Sequence, residues 1–475
     1  MRGPNVRAVK GALLLLALGV VSGCGTGEEP APQAPAGAEP TSQAVVPAAP
    51  GEPGSKGEDR PAGSWWKVAP GEAREPQGSG LSDDDVRKLA SLGYLGGYQA
   101  PPERSGVLHL DRERAYAGYN LVVSGHAPEA FLTNMTGKVV HRWRHEAPSG
   151  YGVPSDRNFW RRVHLLDDGE LLAIFDPFGI IKLDRSSRLL WATDASDKIH
   201  HDLDTTDDGR IFTLGKRTRI IPGVHDEVSV VEDLVVVLDA EDGTVLDRFS
   251  IFEAFQRSSY ADEVTAYVRH TARLGAEMGQ SAIEDLHTNT IQVFDGSLAH
   301  MSPLFKKGNM IFCSPHLNNV FIIDGETRAV VWNWSGPWYR IHEPQLLSGG
   351  TFLLFHNNGY QEEDRYSEVL EYELLPRREV WSYAGDPASP ETSFFSGTSS
   401  TVARLPNGNT LIVVTESGRV LEVTPAKELA WEYVNPARAG DDRDLIAAIF
   451  QLERVPAASV TPWLSPDGSR PGQAP

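Results

Sequence analysis

Two cysteines, Cys24 and Cys313, are all that 475 residues carry, so a disulfide framework is excluded on count. Basic residues are also scarce: Lys+Arg 44 stand against Asp+Glu 64, a formal charge of -20. With that balance and no basic stripe, the chain is not a general partner of nucleic acid. GxSxG, HExxH, Walker-loop and CxxC patterns are all missing. The serine-hydrolase, zinc-protease, P-loop and dithiol chemistries that depend on them are therefore not indicated. What is plentiful is Gly 45, Tyr 13 and Trp 11 among many short strand-like runs, a composition that favours an all-β protein.

The amino terminus accounts for one cysteine. Arg2, Arg7 and Lys10 precede the apolar run Ala12-Leu13-Leu14-Leu15-Leu16-Ala17-Leu18, and Val21-Ser22-Gly23-Cys24 follows. A basic start, a short greasy centre and small residues make an export signal, too short to span a bilayer. Its last four residues resemble a bacterial lipobox, which implies lipidation of Cys24 and a membrane partner through that anchor. Gly25 in the next position implies, by the same resemblance, an outer-membrane lipoprotein on the periplasmic face or the cell surface. Residues 25–80 are rich in Pro, Ala and Gly and read as a disordered tether. In 81–105, Ser82 caps a short helix whose first turn holds Asp83, Asp84 and Asp85.

From residue 106 the chain repeats itself. A β-branched run closing on an aromatic recurs six times, as in Val139-Val140-His141-Arg142-Trp143, Val330-Val331-Trp332-Asn333-Trp334 and Leu429-Ala430-Trp431-Glu432-Tyr433. Turn glycines such as Gly169, Gly209, Gly308, Gly350 and Gly408 fall earlier in the units. Repeats of this length built from several short strands predict an all-β fold, a six-bladed β-propeller over 106–456 with short flanking helices. A helical insertion is expected at 252–283, where apolar residues fall at helical spacing, and a further amphipathic helix around Asp441 to Leu452. Residues 457–475 read as a disordered tail, and Cys313 as a small core residue.

The histidines fall in register with those turns. His201 lies eight residues before Gly209 and His342 eight before Gly350, while Arg161 and Ser400 hold the same place before Gly169 and Gly408. Inner strands of a propeller line its axis, so such residues are expected to ring one mouth of the channel. In Asp285-Leu286-His287-Thr288-Asn289, an extended chain would point His287 and Asn289 the same way. Neutral imidazoles can serve as nucleophile or base, with other imidazoles and an amide donating to oxyanions. That combination suits sulfuryl or phosphoryl transfer. Neither a paired carboxylate nor a short HxH spacing points to a metal, and none is expected.

These residues resemble the bacterial arylsulfotransferases, the PAPS-independent six-bladed family. The resemblance runs from about Gly118 to Pro436. It is densest at Ser124-Gly125-His126, His200-His201-Asp202-Leu203, Asp285-Leu286-His287-Thr288-Asn289, His342-Glu343-Pro344-Gln345 and Arg404-Leu405-Pro406-Asn407-Gly408. It implies transfer from a phenolic sulfate donor to a phenolic acceptor through a sulfo-histidine, with no cofactor. By position, His342 is implied as the nucleophile, His287 and Asn289 as donors to the sulfate oxygens, and His201 as the fourth member. The family carries an arginine where Cys313-Ser314-Pro315-His316 has proline. Arg161, Arg340 and His316 are the candidates to bind substrate in its stead. The alternative that Pro315 raises is a propeller lipoprotein that binds a ligand or protein and does no chemistry.

The lipobox reading makes a prediction about sorting. Cys24→Ser should move the protein from the membrane fraction into the soluble exported fraction, followed by fractionation and by the mass of the mature amino terminus. Retention of the variant in the membrane would place the anchor elsewhere.

Overall fold

The computed structural model describes residues 96–464 except 359–365, 387–388, 390–391 and 441. The signal segment with Cys24, the tether, the helix beginning near Leu81 and residues 465–475 lie outside the described residues. Strand β1 (Gly106–Leu110) comes first, and six antiparallel sheets follow around one axis. Blade 1 contributes β2 (Tyr119–Ser124), β3 (Glu129–Asn134) and β4 (Val139–Arg144); blade 2 is β5 (Arg162–Leu165), β6 (Leu171–Phe175), β7 (Gly179–Leu183) and β8 (Leu189–Ala192). Blade 3 is β9 (His200–Thr206), β10 (Arg210–Arg219), β11 (Ser229–Asp239) and β12 (Val245–Ser250), with β13 (Ala282–Glu284) added to it. Blade 4 is β14 (Thr290–Val293), β15 (Met310–Ser314), β16 (Asn319–Ile323) and β17 (Val330–Ser335). Blade 5 is β18 (Ile341–Leu346), β19 (Thr351–His356), β20 (Glu368–Glu373) and β21 (Arg378–Tyr383); blade 6 is β22 (Thr401–Arg404), β23 (Thr410–Val414), β24 (Arg419–Val423) and β25 (Leu429–Val434).

The protein is therefore a six-bladed β-propeller, and both ends of the described chain close it. β1 adds to the outer edge of blade 6 by pairing with β25. After the short pair β26 (Arg438–Ala439) and β27 (Leu445–Ile446), strand β28 (Ile449–Val455) becomes the innermost strand of blade 1, with Tyr119 opposite Val455. The helix expected around Asp441 to Leu452 is thus β27 and β28 instead. Ile449 and Phe450 are both buried, so the segment shows no clean alternation, and its strand character comes from a partner more than 300 residues away. The tail also differs from expectation over its described part. Ala457–Val460 forms helix α3, and Trp463 packs edge-on to Trp143 with ring centroids 5.8 Å apart. Gly169, at φ +86, makes room for that indole, since a Cβ there would lie 2.8 Å from it.

Tryptophans join neighbouring blades. Trp143 of blade 1 donates its indole N–H to the Gly169 carbonyl of blade 2 at 3.0 Å, and Trp431 of blade 6 donates to Met135 of blade 1 at 3.1 Å. Around the axis the exposed edge of each inner strand needs partners for its backbone. Side chains from the adjacent blade supply them. Gln451 accepts from Val163 N–H at 2.8 Å, Asp202 from Ile291 at 3.0 Å, Asp204 from Val293 at 2.7 Å and Gln292 from Leu346 at 2.8 Å.

The insertion consists of α1 (Ile251–Gln256), capped by the Ser250 hydroxyl on Glu253 N–H, and α2 (Ala261–Glu277). Phe255 of α1 lies 4.9 Å from the Phe321 ring of blade 4, and Val264, Val268 and Ala272 of α2 join the same buried cluster. Burying each such side chain is worth roughly 1.5–3 kcal/mol, so the insertion is a packed cap. It returns to the propeller as β13, which pairs parallel with β11 from Ser229 to Val231 and delivers the chain directly into Asp285. Among the described residues no helix is long and apolar enough to cross a membrane.

Candidate active site

The inner strand of blade 3 opens on His200 and His201, and the segment after β13 carries His287. Both His201 (φ +58) and His287 (φ +53) hold left-handed backbone, a conformation non-glycine residues adopt mainly where the surroundings enforce it. At His201 the enforcing group is Asp176, which accepts the backbone N–H at 2.9 Å. At His287 it is the neighbouring Thr288 N–H, held by Asp233 at 2.5 Å.

The result is a row of four imidazoles. His200 and His201 stand perpendicular with centroids 5.0 Å apart, and their Nδ1 atoms are 2.8 Å from each other. His201 and His287 are again perpendicular at 5.1 Å, and His316, just after β15, follows His287 at 5.1 Å. His342 on β18 faces the same mouth, close enough that the charges of Arg161 and His287 act on it. Burial pushes His316 and His342 down to about 3 and His200 and His201 well below the usual imidazole value.

Hydrogen bonds fix the tautomers, by inference from the partners available. Nδ1 of His342 faces two acceptors, Asn357 Oδ1 at 2.7 Å and the Arg340 carbonyl at 3.2 Å. The Asn357 amide nitrogen donates to the Ser396 and Ser399 carbonyls, both at 2.8 Å, so its oxygen must be the atom turned to the imidazole. His342 therefore carries its proton on Nδ1 and presents a lone pair at Nε2. His200 Nε2 faces the Gly215 carbonyl at 3.3 Å and so holds a proton. Its Nδ1 then accepts from His201, whose own proton therefore sits on Nδ1.

Charges surround the row. Arg161 donates to Ser399 Oγ at 2.8 Å, lies over the Phe450 ring at 4.7 Å, and acts on both His201 and His342. Arg340 is on the far side, where its charge acts on His316. Glu284 is held on His287 Nδ1 at 2.6 Å and on Lys216. Burial alone would raise its carboxyl, but His287 and Lys216 outweigh it and keep the group well below the usual carboxylate range. Behind it, burial and the neighbouring Asp233 push Asp285 well above its ordinary value. Below the mouth, Arg162 closes the axis by bonding Asp202 at 2.8 Å and Glu343 at 2.6 Å. A cavity of about 480 Å³ lies between the inner strands of blades 3, 4 and 5, lined by Asp204, Gln292 and Gln345 among others.

Of the residues expected at the site, His201, His287, His316, His342 and Arg161 come together, and Arg340 borders them. Asn289 is bonded into the framework beside them. Its amide nitrogen donates to the Ile341 carbonyl at 3.1 Å, and its oxygen accepts from Cys313 at 2.8 Å and Thr290 at 3.1 Å. His287 holds a left-handed turn and regular strand begins only at Thr290, so the extended-chain alternation expected across 287–289 does not apply there. Sequence reasoning also missed Asn357, Glu284, Lys216 and Asp176. The Glu-x-x-His spacing of Glu284 and His287 was a usable signal; Asn357, one of several polar residues after a strand, offered none.

Fold and site together define the protein as a six-bladed β-propeller with a histidine row at one axial mouth. Residues 162–436 match the family described as Arylsulfotransferase (ASST), and the chain belongs to that family. No curated protein matches the chain. Similar solved structures are the Dos1 propeller (11% identity, 69% of this chain and 75% of that one, TM-score 0.37) and the WD40 propeller domain of Doa1 (12%, 76% and 95%, 0.38). BamB from Moraxella catarrhalis is similar at 10% identity over 70% of this chain and 74% of its own, with TM-score 0.30.

The place of Asn289 gives a stability prediction. Asn289→Ala strips the buried Ile341 carbonyl and the Cys313 thiol of their partner, and should destabilise the protein by about 1–3 kcal/mol. Denaturant unfolding measures it; an unchanged midpoint would return Asn289 to a purely ligand-binding role.

Proposed function

We propose that the protein moves a sulfuryl group from a phenolic sulfate ester to a phenolic acceptor through a sulfo-histidine on His342, with no nucleotide cofactor. The observation that carries this reading is the Nε2 lone pair of His342, held in place by Asn357 and the Arg340 carbonyl. Family membership supports the reaction class. In the first half-reaction Nε2 attacks sulfur, the S–O bond to the aryl oxygen breaks, and the electron pair leaves with the phenolate. The proton stays on Nδ1, donated to the Asn357 oxygen, and that hydrogen bond eases the positive charge that develops on the ring. In the second half-reaction the acceptor phenol attacks the same sulfur. The S–N bond breaks, its pair returns to Nε2, and the phenol proton passes to the His201 imidazole. Because burial holds the His201 value low, that proton is readily handed on to the next departing phenolate. Arg161 supplies positive charge to the sulfate oxygens in the place the missing arginine leaves. We further propose that the enzyme works as an exported outer-membrane lipoprotein anchored through Cys24.

His342→Ala should reduce phenol release from a chromogenic aryl sulfate by about 10³-fold or more while the protein remains folded by circular dichroism. Full activity in that variant would mean that His342 is not the nucleophile, and no phenol release by the unmutated protein would leave the binding-only reading. The pH profile is a separate test. His342, pushed down to about 3, stays neutral as the solution is acidified, so donor cleavage should be flat from about pH 5 to 8. A fall in rate centred near the ordinary imidazole value would mean a different nucleophile.

A further inference from the structure

At the blade 4 side of the mouth, Glu284, His287 and His316 each place one donor atom within 4.8 Å of the other two. We propose that these three residues hold a divalent transition-metal ion, with Zn²⁺ the best match. Two imidazoles and one carboxylate are the donor set of open zinc sites, whereas Mg²⁺ and Ca²⁺ take oxygen donors. The three come from different but rigid places. Glu284 ends β13, which is fixed to β11; His287 follows three residues later; His316 follows β15 in the next blade. His287 and His316 are 4% and 1% exposed.

The surroundings are those that orient ligands. His316 Nδ1 faces the Asp285 carbonyl at 3.2 Å and so donates to it, which turns the Nε2 lone pair outward. Metal-binding histidines characteristically give their second N–H to such a carbonyl. Lys216 holds one oxygen of Glu284 and leaves the other directed at His287. The 2.6 Å contact between that oxygen and His287 Nδ1 is a hydrogen bond. A tetrahedral ion keeps its donors about 3.3 Å apart, so binding replaces this bond after a small rotation and shifts the imidazole proton to Nε2. Three protein donors leave a fourth position, and His201 lies 5.1 Å from His287 at that mouth. An ion there would face the tetrahedral oxyanion that the sulfuryl-transfer reading places against His342, so the inference deepens that reading, but binding can be tested without it.

The test uses the full chain, stripped with a chelator and titrated with Zn²⁺ alone, bound metal being counted by elemental analysis and affinity by competition with a chromophoric chelator. About one ion per chain is expected. His316→Ala and Glu284→Gln should each weaken binding by more than the 10–100-fold that loss of an outer partner typically causes, and His342→Ala should still bind. Co²⁺ in the unmutated protein should give a tetrahedral visible spectrum, which needs no variant to fold. Substoichiometric uptake, an octahedral spectrum, or unchanged affinity in the two ligand variants overturns the site. A chain that binds the ion but transfers no sulfuryl group supports the site while removing the transferase reading. One that transfers the group without taking up an ion overturns the site alone.

Discussion

Each blade turns the bare edge of its innermost strand towards the axis. An edge of backbone N–H and carbonyl groups buried in that position must find partners, and no fifth strand can reach it. The neighbouring blade answers with a side chain: Gln451 bonds both backbone groups of Val163, at 2.8 and 3.0 Å, and Asp202, Asp204 and Gln292 do the same service further round. These bonds set the spacing and tilt of the inner strands. The imidazoles at the strand ends inherit their positions from them, so the geometry of the mouth depends on a belt of polar contacts one layer below.

The same belt explains how a chain of formal charge -20 can gather guanidiniums beside its histidine mouth. Asp202, Asp204 and Glu343 lie below, bonded to backbone or to Arg162, and burial raises all three. Arg161 and Arg340 lie near the imidazoles, their charges acting on His342 and His316. Between the layers, burial lowers His200, His201, His316 and His342 and favours their neutral forms.

Much of this was legible in the chain. The recurring run closing on Trp143, Trp332 or Trp431 marks the blades because indoles join neighbouring blades, as Trp143 and Trp431 do through their N–H groups. The count back from Gly209 and Gly350 reached His201 and His342 because hairpin length fixes how far a residue sits from its turn. What escaped depended on distant partners. The segment at Ile449–Val455 looks helical until β2 is placed beside it. The bond from Asn289 to the Ile341 carbonyl is invisible until β18 is placed beside it. Asn357 earns its role only through the carbonyls of Ser396 and Ser399, which the primary structure does not put near it.

The pairing of β28 with β2 has a consequence for the order of assembly. Val455 meets Tyr119 only after every intervening blade has been laid down, and closing so long a loop is slow. Until then blade 1 lacks its innermost strand, and Gln451 is not in place to hold Val163 of blade 2. The histidine mouth is consequently a late product of biogenesis. A nascent chain released early would have most of its blades and an unfinished hub, which leaves open strand edges available to other polypeptides.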